Sequence, residues 1–239
     1  MKILQVTLWM YATALQRSWD CLLKNWVVSF APVVYGIGLT VIATLVGPLG
    51  MIGGFIYSFA SSACISSALY LIKNMVDSGK TDVNDFLSGF TVYIWDVITI
   101  SFILWIPMRV AATGLATVPN GFLIYFLLKL GLYIILNAVP ELIYQSRTSG
   151  LELISASYNF IVENWIEWLV PNLIFGAAGY FLLDGFESVV VGLPAYLQLF
   201  LYALVLGLGL SYFMTFRGFL FAQLYGTTRR SRAYRYQSR

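Results

Sequence analysis

The sequence predicts an all-α polytopic membrane helix bundle of about six transmembrane helices, with two amphipathic interfacial helices and a parallel internal repeat. Three observations carry this expectation. First, 59% of the 239 residues are hydrophobic and only 10% are charged, against roughly 25% charged in soluble domains. Second, apolar runs at 27–46, 47–72, 90–112, 119–143, 165–184 and 194–216 approach the ~20 residues that cross ~30 Å of hydrocarbon. Runs of that length satisfy their backbone polar groups in lipid only as α-helix. Third, residues 18–36, SWDCLLKNWVVSFAPVVYG, return 139 positions later at 157–175 as SYNFIVENWIEWLVPNLIF. Ser18, Asn25, Trp26 and Pro32 recur as Ser157, Asn164, Trp165 and Pro171, and the stripe Leu15, Trp19, Leu22, Trp26 recurs as Ile154, Tyr158, Ile161, Trp165. The whole chain, 1–239, is then a single membrane domain.

Residues 1–26 are the first interfacial helix. Leu4, Leu8, Tyr11, Leu15, Trp19, Leu22 and Trp26 fall at intervals of three or four on a segment that carries Gln5, Gln16, Arg17, Asp20 and Lys24 elsewhere. Such a stripe lays a helix along the membrane surface; the competing reading makes it an extension of the first span. Polar and aromatic residues interrupt any signal-peptide core, so this segment is expected to be retained.

Residues 27–72 are the hairpin of repeat unit 1. Its second helix carries Gly50, Gly54, Ser58, Ser62 and Ser66, a small residue at every fourth position. Such a face is expected to pack against another helix, because small side chains let backbones approach in lipid. The alternative lines a substrate path with the serines.

Residues 90–143 are the central hairpin. It holds Asp96 and Lys129, ionisable residues that cost roughly 2.5–3.5 kcal/mol at a helix centre. A turn near Leu115 brings them within reach of an intramembrane ion pair. Alternatively Asp96 sits near one interface and Lys129 snorkels to the other. Asn137, Pro140 and Glu141 read as a polar, helix-breaking exit from the fourth span.

Residues 150–164 are the second interfacial helix and 165–225 the hairpin of repeat unit 2. There Ala203, Gly207, Ser211 and Thr215 keep the four-residue interval, the first three lying 145 positions after Ser58, Ser62 and Ser66. An insertion of six residues near 184–190 accounts for the change of offset. Pro32 and Pro171 are expected to bend the spans they enter. Residues 226–239 are a basic tail.

Six spans place both termini on one side, with 12 of the 14 basic residues. By the positive-inside rule both termini are cytoplasmic, and the chain is expected in a prokaryotic cytoplasmic (inner) membrane. The two units, separated by two spans, point the same way, which argues against the inverted repeats of many secondary transporters. Trp19, Trp26, Trp165 and Trp168 are expected at headgroup depth. The tail arginines Arg229, Arg230, Arg232 and Arg235 are expected on anionic headgroups, at about 1 kcal/mol each. Nucleic acid is not an expected partner. The partners implied are the bilayer itself and other membrane subunits or a second copy.

Chemistry is sparse. Histidine is absent, which removes the commonest general base and metal ligand. Cys21 and Cys64 have no evident route to each other, so no disulfide framework is expected. No nucleophile–base pair or paired carboxylates stand out. No catalytic, metal or cofactor residue is therefore assigned, and no enzyme activity is expected.

SWDCLLKNW and SASYNFIVENW before proline-bearing spans, with DVNDFLSGF leading into the third span, carry a resemblance. The pattern resembles a broad group of poorly characterised prokaryotic six-helix integral membrane proteins, akin to the membrane domain attached to some glycerophosphodiester phosphodiesterases. The resemblance implies the fold; the chain has no phosphodiesterase domain, so that activity does not transfer. The leading functional expectation is a non-enzymatic integral membrane subunit or scaffold that organises protein partners or lipids. The rival is a transporter or channel component whose polar path uses Asp96, Lys129 and the small-residue stripe of the second helix. A lipid-modifying enzyme ranks last for want of a catalytic pair.

Overall fold

The computed structural model describes residues 2–237, which contain helices and no strand. Helix α1 (Lys2–Lys24) ends at Asn25, a 3-10 turn covers Trp26–Phe30, and α2 (Ala31–Val46) follows. A second 3-10 turn, Gly47–Leu49, reverses the chain into α3 (Met51–Asp77). Then come α4 (Val83–Val92), α5 (Ile94–Leu115), α6 (Gly121–Ile135), α7 (Val139–Gln145), α8 (Glu152–Val190), α9 (Ala195–Leu224) and α10 (Arg229–Gln237). Six helical segments are long and apolar enough to cross a membrane: Trp26–Leu49, Met51–Asp77, Ile94–Leu115, Gly121–Gln145, Glu152–Val190 and Ala195–Leu224. They pair as three hairpins, α2 with α3, α5 with α6, and α8 with α9.

Several boundaries differ from the sequence expectation. DVNDFLSGF is not the start of the third span but a separate helix, α4. Asp82 caps it in a capping box with Asp85, whose carboxylate accepts from the Asp82 amide at 2.9 Å, satisfying amides that a helix start leaves open. The second interfacial segment and the fifth span are merged in α8. The break lies at Asn164 (φ −127°, ψ 22°), and its counterpart Asn25 has nearly the same backbone (φ −122°, ψ 34°). Each asparagine turns its Nδ2 back onto the carbonyl four residues earlier, Cys21 at 2.9 Å and Phe160 at 3.2 Å. The breaks in backbone geometry thus lie at the asparagines; Pro32 sits in the first turn of α2, where its missing N–H would be unpaired anyway, and Pro171 lies inside α8.

Packing is uneven along the hairpins. The ends gathering the C-termini of α3, α7 and α9 with the N-termini of α2, α5 and α8 are termed proximal, and the tight hairpin turns distal. The main core is proximal: Met75, Leu142, Leu153, Trp168, Phe216 and Phe221 are almost fully buried within it. Beyond Tyr35 in α2, Ile100 in α5 and Pro171 in α8, and before Ser62 in α3 and Gly207 in α9, buried residues occur only near the turns, at Gly53, Gly121 and Val190. The proximal half is closed and the distal half is open.

Helix α1 packs on α9 and α10 through Val6, Met10, Ala14, Ser18 and Cys21, joined by Tyr11, Leu15 and Leu22 from one edge of the apolar stripe. Leu4, Leu8, Trp19 and Trp26 remain exposed. Burial pushes the Cys21 thiol pKa up, and the thiol donates to the Met75 carbonyl at 3.2 Å.

The two small-residue stripes also separate. Gly207, Ser211 and Thr215 are buried, and a Cβ on Gly207 would stand 2.1 Å from the Ser29 carbonyl oxygen. In α3 only Ser62 and Ser66 are buried, while Gly50, Gly54 and Ser58 are exposed. Ser66 packs under α4, donating to the Gly89 carbonyl at 2.6 Å and accepting from the Tyr93 amide at 2.8 Å. The expected helix contact at Gly54 and Ser58 is therefore corrected. Gly207→Ala should destabilise the fold by about 1–3 kcal/mol, as overpacking does, whereas Ser58→Leu should leave it unchanged. Thermal unfolding in detergent checks this, and equal effects at the two positions would refute the assignment of faces.

Candidate functional site

The sequence marks Asn137–Pro140–Glu141 only as an exit from a span, yet it forms the centre of the buried polar structure. Helix α6 stops at Ile135 and α7 restarts at Val139 with Pro140 in its first turn. This break delivers Glu141 into the proximal core, fully buried. Arg217 of α9 meets it there: Nε and Nη2 donate to the two carboxylate oxygens at 2.7 Å each, a bidentate geometry that fixes both groups. Arg217 Nη2 also donates to the Asn137 carbonyl. Trp168 closes the far side, its Nε1 donating to Asn137 Oδ1 at 2.9 Å and its ring lying 5.0 Å from the guanidinium carbon. Phe213 flanks the same guanidinium at 5.5 Å. The cluster is charge-neutral and its hydrogen bonds link α7, α8 and α9.

A second polar centre ties down the C-terminus. Arg229 binds Glu167 bidentately, at 2.9 and 3.2 Å, and Tyr11 of α1 donates to the Glu167 carbonyl at 3.0 Å. Burial, with the Glu167 charge second, pushes the Tyr11 phenol up to about 12. Arg232 is buried and donates through Nη2 to Asn164 Oδ1 at 3.0 Å. The residue that bends α8 is thus held by the terminal helix. At the equivalent bend, Asn25 Oδ1 accepts from the Thr81 amide at 2.9 Å.

The expected lipid-facing residues therefore divide. Trp19, Trp26 and Trp165 are exposed, as are Arg230 and Arg235. Trp168 and Arg232 are buried, and Arg229 is half-exposed in an ion pair with Glu167. The last three are corrected from lipid anchors to internal contacts. The tail is a helix docked on α1, not a free basic segment. Asp96 and Lys129 do not form an ion pair; the Lys129 ammonium lies 5.2 Å over the Tyr125 ring. Tyr125 is one helical turn nearer the distal end.

Two hollows flank α5. One, about 560 Å³, opens between α3 and α5, where Gly54, Ser58 and Ser62 face Ile98, Phe102 and Trp105. The other, about 370 Å³, lies between α5 and α6 with Lys129 and Tyr133 on its wall and Asn137 and Arg217 among its lining residues. No protein-family model, curated protein or solved structure matches the chain.

Proposed function

We propose that this chain is a non-enzymatic integral membrane subunit that organises protein partners or lipids around a bundle tied shut at its proximal end and open at its distal end. One observation carries the reading: the hairpins share a buried, ion-paired core proximally and leave unfilled, largely apolar hollows on both sides of α5. In lipid, apolar surface alone does not drive helices together. Such hollows are then filled by acyl chains or by the helix of a partner, and Gly54 and Ser58 offer the close approach that a partner helix uses.

The matched bends at Asn25 and Asn164, with exposed Trp26 and Trp165 immediately after them, support two parallel units. In each unit a segment with a lipid-accessible apolar face, 1–26 or 150–164, precedes a hairpin. The distribution of basic residues supports cytoplasmic termini in a prokaryotic inner membrane; Gln237→Cys should resist an impermeant thiol reagent added outside intact cells, and labelling there would reverse the topology.

The transporter reading has less support. Asp96 and Lys129 form no ion pair, and Ser62, Ser66 and Ser67 donate to backbone carbonyls of Ser58, Gly89 and Phe86 instead of facing a common path. Purification from native membranes in mild detergent should yield a stoichiometric partner or a defined homo-oligomer. A lone monomer that conducts solute when reconstituted in liposomes would overturn the scaffold reading.

A further inference from the structure

We propose that the groove between α5 and α6 binds one monoanionic phospholipid of the distal leaflet, with its phosphate on Lys129 and an acyl chain running toward the proximal end. Lys129 is exposed on a membrane-spanning helix and has no carboxylate partner among the described residues. A cation at that depth needs an anion or a route to the interface. Lys129 follows Gly121 by eight residues, which places its Cα about 12 Å along α6 from the distal turn at ~1.5 Å per residue. The flexible stem turns distally, to Tyr125, so the ammonium is aimed at the headgroup layer of that leaflet.

Below it the groove wall is mainly apolar until it reaches Asn137 and Arg217. Leu132 of α6 and Leu136, the cap residue at the end of that helix, stand one turn apart, opposite Leu104 and Met108, one turn apart on α5. These rows follow the direction an acyl chain takes from a headgroup at Lys129. Charge sets the headgroup class. At the groove floor Arg217 is neutralised by Glu141, so Lys129 is the one uncompensated charge of the lining and a single negative charge complements it. The inference rests on the lipid-organising part of the scaffold reading and adds to it a lipid class and a residue.

Native mass spectrometry of the full-length protein, offered phosphatidylglycerol or phosphatidylcholine with identical acyl chains, tests the site. The wild type should retain one phosphatidylglycerol about five-fold more readily than phosphatidylcholine, the ratio corresponding to ~1 kcal/mol for a lysine near an anionic headgroup. Lys129→Gln should erase that preference and Lys129→Arg should keep it. Leu132→Trp, which fills the groove with the charge intact, should weaken retention of both lipids. Equal retention of the two lipids by wild type, an unchanged preference in Lys129→Gln, or displacement by inorganic phosphate would overturn the proposal. Partner capture in the purification above is scored separately: partners captured without lipid preference reject this site alone, whereas lipid preference on a solute-conducting monomer rejects the scaffold alone.

Discussion

Glu141→Ala should lower stability by about 3–5 kcal/mol, because removing one member of a buried ion pair leaves the other charge uncompensated. Arg217 cannot escape that outcome by moving to water. It is packed between Trp168 and Phe213, and its remaining partner would be the Asn137 carbonyl. The double variant Glu141→Leu, Arg217→Met should recover most of the loss, since replacing a whole buried pair by apolar groups is often neutral or stabilising. The measurement is the thermal unfolding midpoint of each purified variant in one detergent. A single variant as stable as wild type, or a double variant no better than Glu141→Ala, would show that the pair does not hold α7 against α9.

The features readable from sequence were those that depend on length and composition. Six spans were legible because an apolar run of ~20 residues has few other fates. The faces were harder. In α1 the apolar periodicity identified a helix with two unlike sides, but the stripe splits: Leu4, Leu8 and Trp19 stay exposed, Leu22 is buried at its edge, and the packed face runs through Ala14 and Ser18. In a soluble protein the larger apolar face would be the core. Next to a bilayer, lipid solvates leucine as well as protein does, so small residues mark the packed side instead. That rule succeeds for Gly207, Ser211 and Thr215. It fails for Gly54 and Ser58, because the helix that would cover them, α5, diverges distally to leave a hollow.

The polar centre was hidden for another reason. Glu141 and Arg217 are 76 positions apart, and each stands within a few residues of a span end, where a charge is ordinarily an interfacial one. Periodicity could not reveal that both turn inward. The available signal was the sequence context: Arg217 sits between aromatic residues in FMTFRGFLF, a setting where an interfacial arginine has little to gain and a stacked, buried one has much. Asn25 and Asn164 were visible as repeat positions. Their role in bending the chain was not, because prolines seven residues later offered a simpler cause.

Trp165 and Trp168 make the sharpest test of inward against outward faces, being three residues apart on one helix and alike to sequence analysis. Trp165 is 53% exposed and Trp168 is fully buried. Trp168→Ala should destabilise by about 3–5 kcal/mol, the range for truncating a large buried aromatic side chain. It removes edge contacts with Phe160 and Phe221, at 5.2 and 6.0 Å between centroids, together with the surface on which Arg217 lies. Trp165→Ala should change stability by about 0.5 kcal/mol or less, as exposed substitutions generally do. Trp168→Phe separates packing from hydrogen bonding: most of the ring volume stays, but Asn137 Oδ1 loses its indole donor, a loss of about 1–3 kcal/mol for a buried acceptor left unpaired. The expected order of unfolding midpoints is therefore Trp165→Ala near wild type, then Trp168→Phe, then Trp168→Ala. If Trp165→Ala instead matched Trp168→Ala, α8 would have to be rotated about its axis relative to the other helices, and the contacts of Trp168 with Asn137 and Arg217 could not stand.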